Sequence, residues 1–293
     1  MSRRTPGASK EAIQRHYDVG NEFFALWLDK NRVYSAAMWK GELDESLEVA
    51  QVRKLDFHIE RAAAAHAGRV LDVGCGWGAL LRRMTETFGV RKAVGVTLSR
   101  EQADWIHAQA DPRIEVRLES WQDHQPEEPY DAIISIGAFE HFADLDMPTE
   151  SRVARYREFF VWCRLHMRVG SKLSLQTFAY GTGRDRGECA RLRVTGFLAA
   201  EIFPETDPPT LEEIVRAIDG VFEMVSLRND RLDYARTCRV WHERLRAHRQ
   251  EAIDLAGEPT YNSFEKYLQV SALAFELGHL DLYRLELRSV RLP

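Results

Sequence analysis

Two short stretches of this chain carry residue types and spacings that could do chemistry. The first is VLDVGCGWGAL, Val70 to Leu80, where Asp72 is followed by Gly74, Gly76 and Gly78 behind an apolar run. Glycine lets a backbone approach a ligand closely, and in doubly wound sheets ligands sit outside the carboxyl ends of strands. The second is SIGAFEHF, Ser135 to Phe142, which sets Glu140 and His141 between Phe139 and Phe142. A carboxylate in an apolar pocket is a good proton acceptor. Glu140 therefore reads either as a catalytic base or as a structural carboxylate capping the segment that follows, with His141 as a competing base.

The glycine loop alone is weak evidence, because its spacing overlaps that of dinucleotide-binding loops. Three features favour S-adenosylmethionine. The D-x-G-x-G form is the methyltransferase variant, and no phosphate-binding run accompanies it. GVTLS (95–99) and then Gln102 offer hydroxyl and amide partners for a ribose or amino-acid group, where a carboxylate is usual. Thr97, Leu98 and Gln102, with Asp72 and with Ile136 at the end of the next buried strand, are the expected cofactor contacts. Trp121 reads as a wall for the adenine or as a core tryptophan.

Strands are expected at Arg69–Val73, Lys92–Val96, Ile114–Leu118, Tyr130–Ile136 and Lys172–Phe178, and helices at Ala79–Phe88, Arg100–Ala110 and Arg155–Leu165. Tyr130–Ile136 is almost continuously apolar, as a strand buried on both faces should be. The alternation predicts an α/β fold: a doubly wound, mostly parallel, Rossmann-like sheet over 65–178. Residues 1–64 read as an N-terminal helical cover, with a helix broken around Gly20 and a second opened by Asp44 and running to about Ala64, its buried stripe including Leu47, Leu55 and Ile59. Residues 179–212 read as an inserted helical lid. Residues 213–293 complete the sheet and the substrate pocket: Thr210 and Glu213 make a capping box, Val221–Leu227 and Thr237–Trp241 read as strands, and the tail near Leu285–Val290 is strand-like.

The 293 residues carry 45% hydrophobic and 29% charged side chains and a net charge of −5. That balance shows no basic footprint for nucleic acid. No apolar run approaches the ~20 residues of a membrane span, and no apolar stretch follows Arg3 and Arg4, so no signal peptide is expected. Cys75, Cys163, Cys189 and Cys238 lie far apart without a CxxC pair, which argues against zinc and disulfide frameworks and for a reducing cytoplasm; no metal site is expected, and the chain reads as a monomer or homodimer. Arg184, Arg186, Arg191 and Arg193 read either as a solvated lid face or as a site for an anionic head group. Phe197, Leu198, Ile202 and Phe203 read as packing on the sheet edge or touching lipid.

HYDVGNEFFALWLD (16–29), VYSAAMW (33–39), LDVGCGWG (71–78), GVTLSREQ (95–102), SIGAFEHF (135–142), EIFP (201–204), DYARTCRVW (233–241) and FELGHLD (275–281) run in the order found in the cyclopropane-fatty-acid synthase family. The chain resembles that family from about residue 12 to 290, and most of all its mycolic acid methyltransferases, without the extra N-terminal domain of the phospholipid-acting synthases. The resemblance implies methyl transfer from S-adenosylmethionine to an alkene carbon of a lipid chain. It implies cofactor contacts at Tyr34, Ser35, Gly74, Gly76, Thr97, Gln102 and Trp121. In the family a bicarbonate ion is held by a cysteine region, a glutamate, a histidine and a tyrosine, which here read Ala36, Glu140, Gln176 and Tyr234. A further family cysteine reads Ser271, and the histidine before the tyrosine reads Asp233. These departures leave methyl transfer expected and remove family residues from the bicarbonate site and from cyclopropane formation.

A sulfonium methyl is an electrophile that needs no metal. An alkene attacking it leaves a carbocation, which aromatic faces stabilise; Phe23, Phe24, Tyr34, Trp39, Phe139 and Phe142 are the expected suppliers. Glu140 or His141 then removes a proton. Tyr234 orients Glu140 or the substrate, or is a core tyrosine. Gln176 can position a neutral group but cannot carry charge. Loss of a neighbouring proton gives a methylated alkene, favoured here over cyclopropane. An amine N-methyltransferase and a catalytically silent cofactor-binding protein are the competing functions.

Overall fold

The computed structural model describes residues 19–41, 44–144, 147–182 and 207–291. Five strands pair in parallel: β1 (Arg69–Val73), β2 (Lys92–Thr97), β3 (Ile114–Leu118), β4 (Tyr130–Ile136) and β5 (Met167–Tyr180). Two more, β6 (Phe222–Asn229) and β7 (Leu280–Ser289), extend the edge antiparallel, giving the order β3-β2-β1-β4-β5-β7-β6. The direction of winding reverses between β1 and β4. That switch opens a crevice at the carboxyl ends of the strands, directly after the glycine loop.

The sheet is covered on both faces because its central strands are apolar in both directions. Leu71, Val73, Ile133, Leu173 and Leu175 pack against Tyr156, Phe159, Phe160 and Cys163 of α5 (Thr149–Leu165) and Ile214 of α6 (Leu211–Ile218). Their neighbours in sequence, Val70, Ala132 and Ile134, face the other way, onto Leu55 and Ile59 of α2 (Leu47–Arg61), Leu80, Leu81 and Met84 of α3 (Ala79–Glu86), and Ile106 of α4 (Arg100–His107). A third cluster, rich in aromatic rings, joins the short helix α1 (Asn21–Ala25) to α7 (Arg231–Ala247), α8 (Arg249–Ala256) and α9 (Glu258–Glu276), through Phe23, Phe24, Trp27, Trp241, Ala252 and Phe264.

Among the described residues the five core strands and the helices at Ala79–Phe88, Arg100–Ala110 and Arg155–Leu165 are present, and four expectations change. Asp44 does not cap α2: Ser46 does, its Oγ accepting from the Val49 amide at 3.3 Å, and the helix ends at Arg61 rather than Ala64. Thr237–Trp241 is not a strand but part of α7; its β-branched and aromatic residues sit at helical spacing, with Thr237, Cys238 and Trp241 turned inward. The helix after Gly20 is only five residues long, Asn21–Ala25. β5 runs past both its expected ends: Met167 pairs with Tyr130 of β4 at its start, and β7 pairs with it through Tyr180 at its end. The Thr210–Glu213 capping box forms in both directions, at 3.2 and 2.9 Å.

Buried polar residues distinguish α2. Gln51, Lys54 and His58 are all fully buried and lie on one helical stripe beside the apolar one. A hydrophobicity pattern cannot mark such a stripe, although it faces the site described next. The four lid arginines, Cys189 and the Phe197–Phe203 apolar group lie outside the described residues.

Candidate active site

The cofactor end of the crevice is built mostly from backbone. The Gly74 and Cys75 amides both donate to the Val96 carbonyl, at 3.0 and 3.1 Å, which ties the loop to β2. Gly74 has φ +82°, and a Cβ there would fall 2.7 Å from the Ala138 Cβ. Gly76, at φ +53°, has no heavy atom of the described residues within 4 Å of a would-be Cβ, which leaves its backbone open to close approach.

Side chains finish this end. Asp72 is buried, and burial pushes its carboxyl up to about 7 against the pull of the Lys54 charge. At the end of β2, Thr97 Oγ1 donates to Gln102 Oε1 at 2.7 Å and accepts from the Ser99 amide at 3.1 Å. The Gln102 amide oxygen is thereby engaged, which leaves its NH2 as a donor. Leu98 and Ile136 are half-buried at the ends of β2 and β4. Trp121 is buried against the rings of Phe159, Phe142 and Trp162, 5.3 to 5.9 Å away, so it belongs to the core. A glycine cradle, an acidic group lacking a cation in contact, and neutral hydroxyl and amide groups fit an amino-acid-bearing nucleoside such as S-adenosylmethionine. Its ammonium group would draw the Asp72 carboxyl back down.

Next to the cradle lies a small cavity, open at its mouth. Six of the expected site residues meet around it: Tyr34, Ser35, Glu140, His141, Gln176 and Tyr234. Thr177, Phe178, Tyr267, Leu282 and Gly137 complete the wall. Gly137 lies within the SIGAFEHF stretch but carries no side chain to single out, and Thr177, Phe178, Tyr267 and Leu282 lie outside the quoted stretches.

Glu140 sits in the tight turn Phe139–His141 directly after β4. It is 2% exposed, and Thr177 Oγ1 donates to its Oε2 at 3.0 Å. Burial pushes its carboxyl up to about 7, with its own backbone and Thr177 opposing. Among the described residues it has no ion pair. Burial pushes the His141 imidazole down to about 4, so the ring is neutral at pH 7 and a weak base. Tyr234, in the first turn of α7, stacks on Phe275 with centroids 4.4 Å apart.

Seven expected pocket residues do not line this cavity. Phe139 stacks on Tyr156 at 4.6 Å, inside the main core, because the turn that exposes Glu140 points its neighbour the other way. Phe142 packs on Trp121 and Phe159. Phe23 and Phe24 are consumed by the aromatic cluster, where Phe24 supports the ring of Tyr34 from 5.5 Å. Trp39 donates its indole N–H to the Asp233 carbonyl and Thr237 Oγ1, at 3.2 and 3.1 Å, outside the wall. Ala36 is fully buried, and Ser271 is buried in α9.

Behind the wall lies a polar layer that no motif announced. Lys54 Nζ donates to Ser35 Oγ at 2.7 Å, and burial pushes its ammonium down to about 7. Arg284 of β7, 1% exposed, reaches Gln176, Asp230, Asp233 and the carbonyls of Ala36 and Ala37. His58 lies between Ser174 and Gln176. Among the described residues no group of His, Cys, Asp or Glu is arranged to hold a metal, and no helix is long and apolar enough to cross a membrane.

The family model for mycolic acid cyclopropane synthetase matches residues 5–285. Cyclopropane mycolic acid synthase MmaA2 of Mycobacterium tuberculosis is 35% identical over 284 residues, covering 93% of this chain and 94% of the relative. The solved structure of MmaA2 superposes with a TM-score of 0.86 at 32% identity, covering 97% of this chain and 99% of that one. Mycolic acid cyclopropane synthase CmaA1, crystallised with S-adenosylhomocysteine and CTAB, also gives 0.86, at 28% identity and the same coverage. Methoxy mycolic acid synthase MmaA3 of M. tuberculosis is 31% identical over 301 residues, covering 96% of this chain and 97% of the relative. The chain therefore belongs to the mycolic acid cyclopropane synthetase family and is an S-adenosylmethionine-dependent methyltransferase.

Proposed function

We propose that this enzyme methylates an electron-rich alkene carbon in an apolar, lipid-like substrate, with Glu140 taking the proton that the resulting carbocation must lose. The observation that carries the reading is Glu140 itself. A buried carboxyl is held by one hydroxyl, with no cation beside it, at the edge of a cavity next to the cofactor cradle. The relatives act on mycolic acids by name.

S-adenosylmethionine, when bound, supplies an electrophilic methyl group. Asp72, Thr97, Gln102, Tyr34, Ser35 and Trp121 would hold it, with the loop at Gly74 and Gly76 giving it room. The remaining work falls to the acceptor side. Tyr34, Phe178, Tyr234 and Tyr267 present aromatic rings to the cavity, and such faces stabilise a cation by about 0.5–2 kcal/mol each. Oε2 of Glu140 is engaged by Thr177, which leaves Oε1 to accept the proton. His141 is too weakly basic to compete at neutral pH. The base is not aided by a second titratable group where the family has cysteine and histidine, since Ala36 and Gln176 stand there. We therefore favour loss of a neighbouring proton, giving a methylated alkene, over ring closure, and bicarbonate has no part in that route.

Incubation with S-adenosylmethionine and cis-alkene acyl chains tests the reading. Mass shows methyl gain, and proton NMR separates a methylated alkene from a cyclopropane. High-field ring protons would reverse the product assignment, and exclusive methylation of amines would overturn the alkene reading.

A further inference from the structure

The amide of Gln176 is locked in one orientation, and that orientation has a consequence for substrate choice. Gln176 lies in β5, opposite Ile136 of β4 and Arg284 of β7. Its side chain is 1% exposed. Arg284 Nε donates to Gln176 Oε1 at 2.8 Å. A guanidinium has donors only, so the amide atom facing it must be the oxygen. His58 Nε2 lies 3.3 Å from the same oxygen and must carry its proton toward it. His58 Nδ1 then accepts from the Ser174 hydroxyl at 2.8 Å. Burial and the charges of Arg284 and Lys54 keep this histidine neutral. Turning the amide over would set its NH2 against two N–H groups. The NH2 is thus held on the cavity side, where no acceptor among the described residues takes it.

We propose that Arg284 is a positioning residue for Gln176, and that the Gln176 NH2 selects a methyl acceptor bearing a neutral oxygen (hydroxyl, ether or carbonyl) close to the reacting carbon. A plain hydrocarbon leaves this buried donor without a partner, which is unfavourable. A small oxyanion is a poorer match. All five N–H donors of Arg284 are committed: Nε to Gln176, Nη1 to Asp230 and Asp233, Nη2 to the carbonyls of Ala36 and Ala37. Lys54 is engaged with Ser35, and Ala36 has no side-chain donor. The assignment deepens the alkene-methylation reading and rests on it for the reacting carbon.

Ricinoleic and oleic acid are suitable probes, being the same chain with and without a hydroxyl two carbons beyond the double bond. Binding is measured calorimetrically with S-adenosylhomocysteine present, and turnover with S-adenosylmethionine. The wild type is expected to favour ricinoleic acid by about tenfold in Kd and kcat/KM, the effect of one neutral hydrogen bond. Gln176→Met brings the ratio to about one. Arg284→Gln does the same through a higher KM for ricinoleic acid, and Arg284→Lys restores part of the preference; a merely structural role for Arg284 would lower both probes equally and keep the ratio. Should Arg284→Gln not fold, the Gln176→Met ratio decides alone. Equal affinity for the two probes in the wild type overturns the proposal. Loss of the preference in bicarbonate-depleted buffer assigns the donor to a small oxyanion and overturns it too. The binding ratio needs no turnover, so failure of alkene methylation leaves this inference separately tested.

Discussion

The two halves of the site solve their binding problems by different means. The cofactor half uses backbone: glycines in left-handed conformation, a loop tied to β2 by two amides, and a hydroxyl–amide pair within six residues of each other. The acceptor half uses side chains from the turn after β4, from β5, α7, α9, β7 and the segment before α2, backed by a buried layer of Lys54, His58 and Arg284. A backbone cradle depends on few residue identities and serves one fixed ligand. A wall of side chains can be re-specified by single substitutions; Gln176 in this wall, and Ala36, Asp233 and Ser271 outside it, are the positions where the family resemblance expects other residues.

The sharpest way to separate the halves is Glu140→Gln. Loss of a general base lowers kcat by about 10²- to 10⁴-fold. Cofactor affinity should stay within about twofold, since Glu140 lies outside the cradle. Single-turnover kinetics and calorimetry with S-adenosylhomocysteine check both. An unchanged kcat would remove Glu140 from the mechanism.

Gly76→Ala attacks the other half. A Cβ there meets no described protein atom, and alanine at φ +53° costs the fold about 1–2 kcal/mol. Cofactor affinity should nevertheless fall about tenfold or more, because the added methyl fills the approach face. Gly74→Ala gives the contrast: its Cβ would fall 2.7 Å from the Ala138 Cβ, so thermal stability drops more than at Gly76. Equal Tm losses with cofactor binding kept would show that the open side of Gly76 is not the ligand's.

The pH dependence of stability reports the strain in the acceptor half. Burial raises the Glu140 carboxyl from the usual 4.5 to about 7 in the folded chain. The folded state then holds a proton that the unfolded chain releases in that interval. The stabilisation from the neutral form is complete below pH 4.5 and is lost as pH rises through about 7. At one pKa unit per 1.36 kcal/mol, ionisation costs the fold about 3 kcal/mol above pH 7. Glu140→Gln should therefore raise Tm relative to the wild type at pH 8 and change it little at pH 4. Identical Tm curves would mean that Glu140 is not desolvated in solution.

How much of this was legible in the sequence follows the same division. Val70–Leu80 and GVTLS could be read because each is contiguous, so spacing along the chain is spacing in space. Glu140 was legible because the turn after β4 must end at the crevice. Phe139 was misplaced by the same turn, since adjacent side chains leave it in opposite directions. Thr177, Tyr267 and Leu282 needed the β5–β7 register and the α7–α9 packing, which no local pattern encodes. Lys54 and His58 were hidden for a different reason. Polar residues on a helix default to the solvated face, and only their partners Ser35, Ser174 and Gln176 make burial tolerable.

The smallest expected effect is also the most specific to the geometry. Thr177 Oγ1 donates to Glu140 Oε2 at 3.0 Å, and this bond favours the ionised form against the dominant effect of burial. Thr177→Val keeps the shape of the side chain and removes the donor. The Glu140 carboxyl should then titrate higher, by about one pH unit for one hydrogen bond of ~1 kcal/mol or slightly more. Because the base must be ionised to act, the acidic limb of the kcat profile moves up by the same interval. At pH 7 turnover falls a few-fold, and at pH 9 it recovers toward the wild type. A change of packing alone would lower kcat equally at both pH values. The recovery at high pH is thus the measurement that ties Thr177 to the proton on Glu140 rather than to the shape of the cavity.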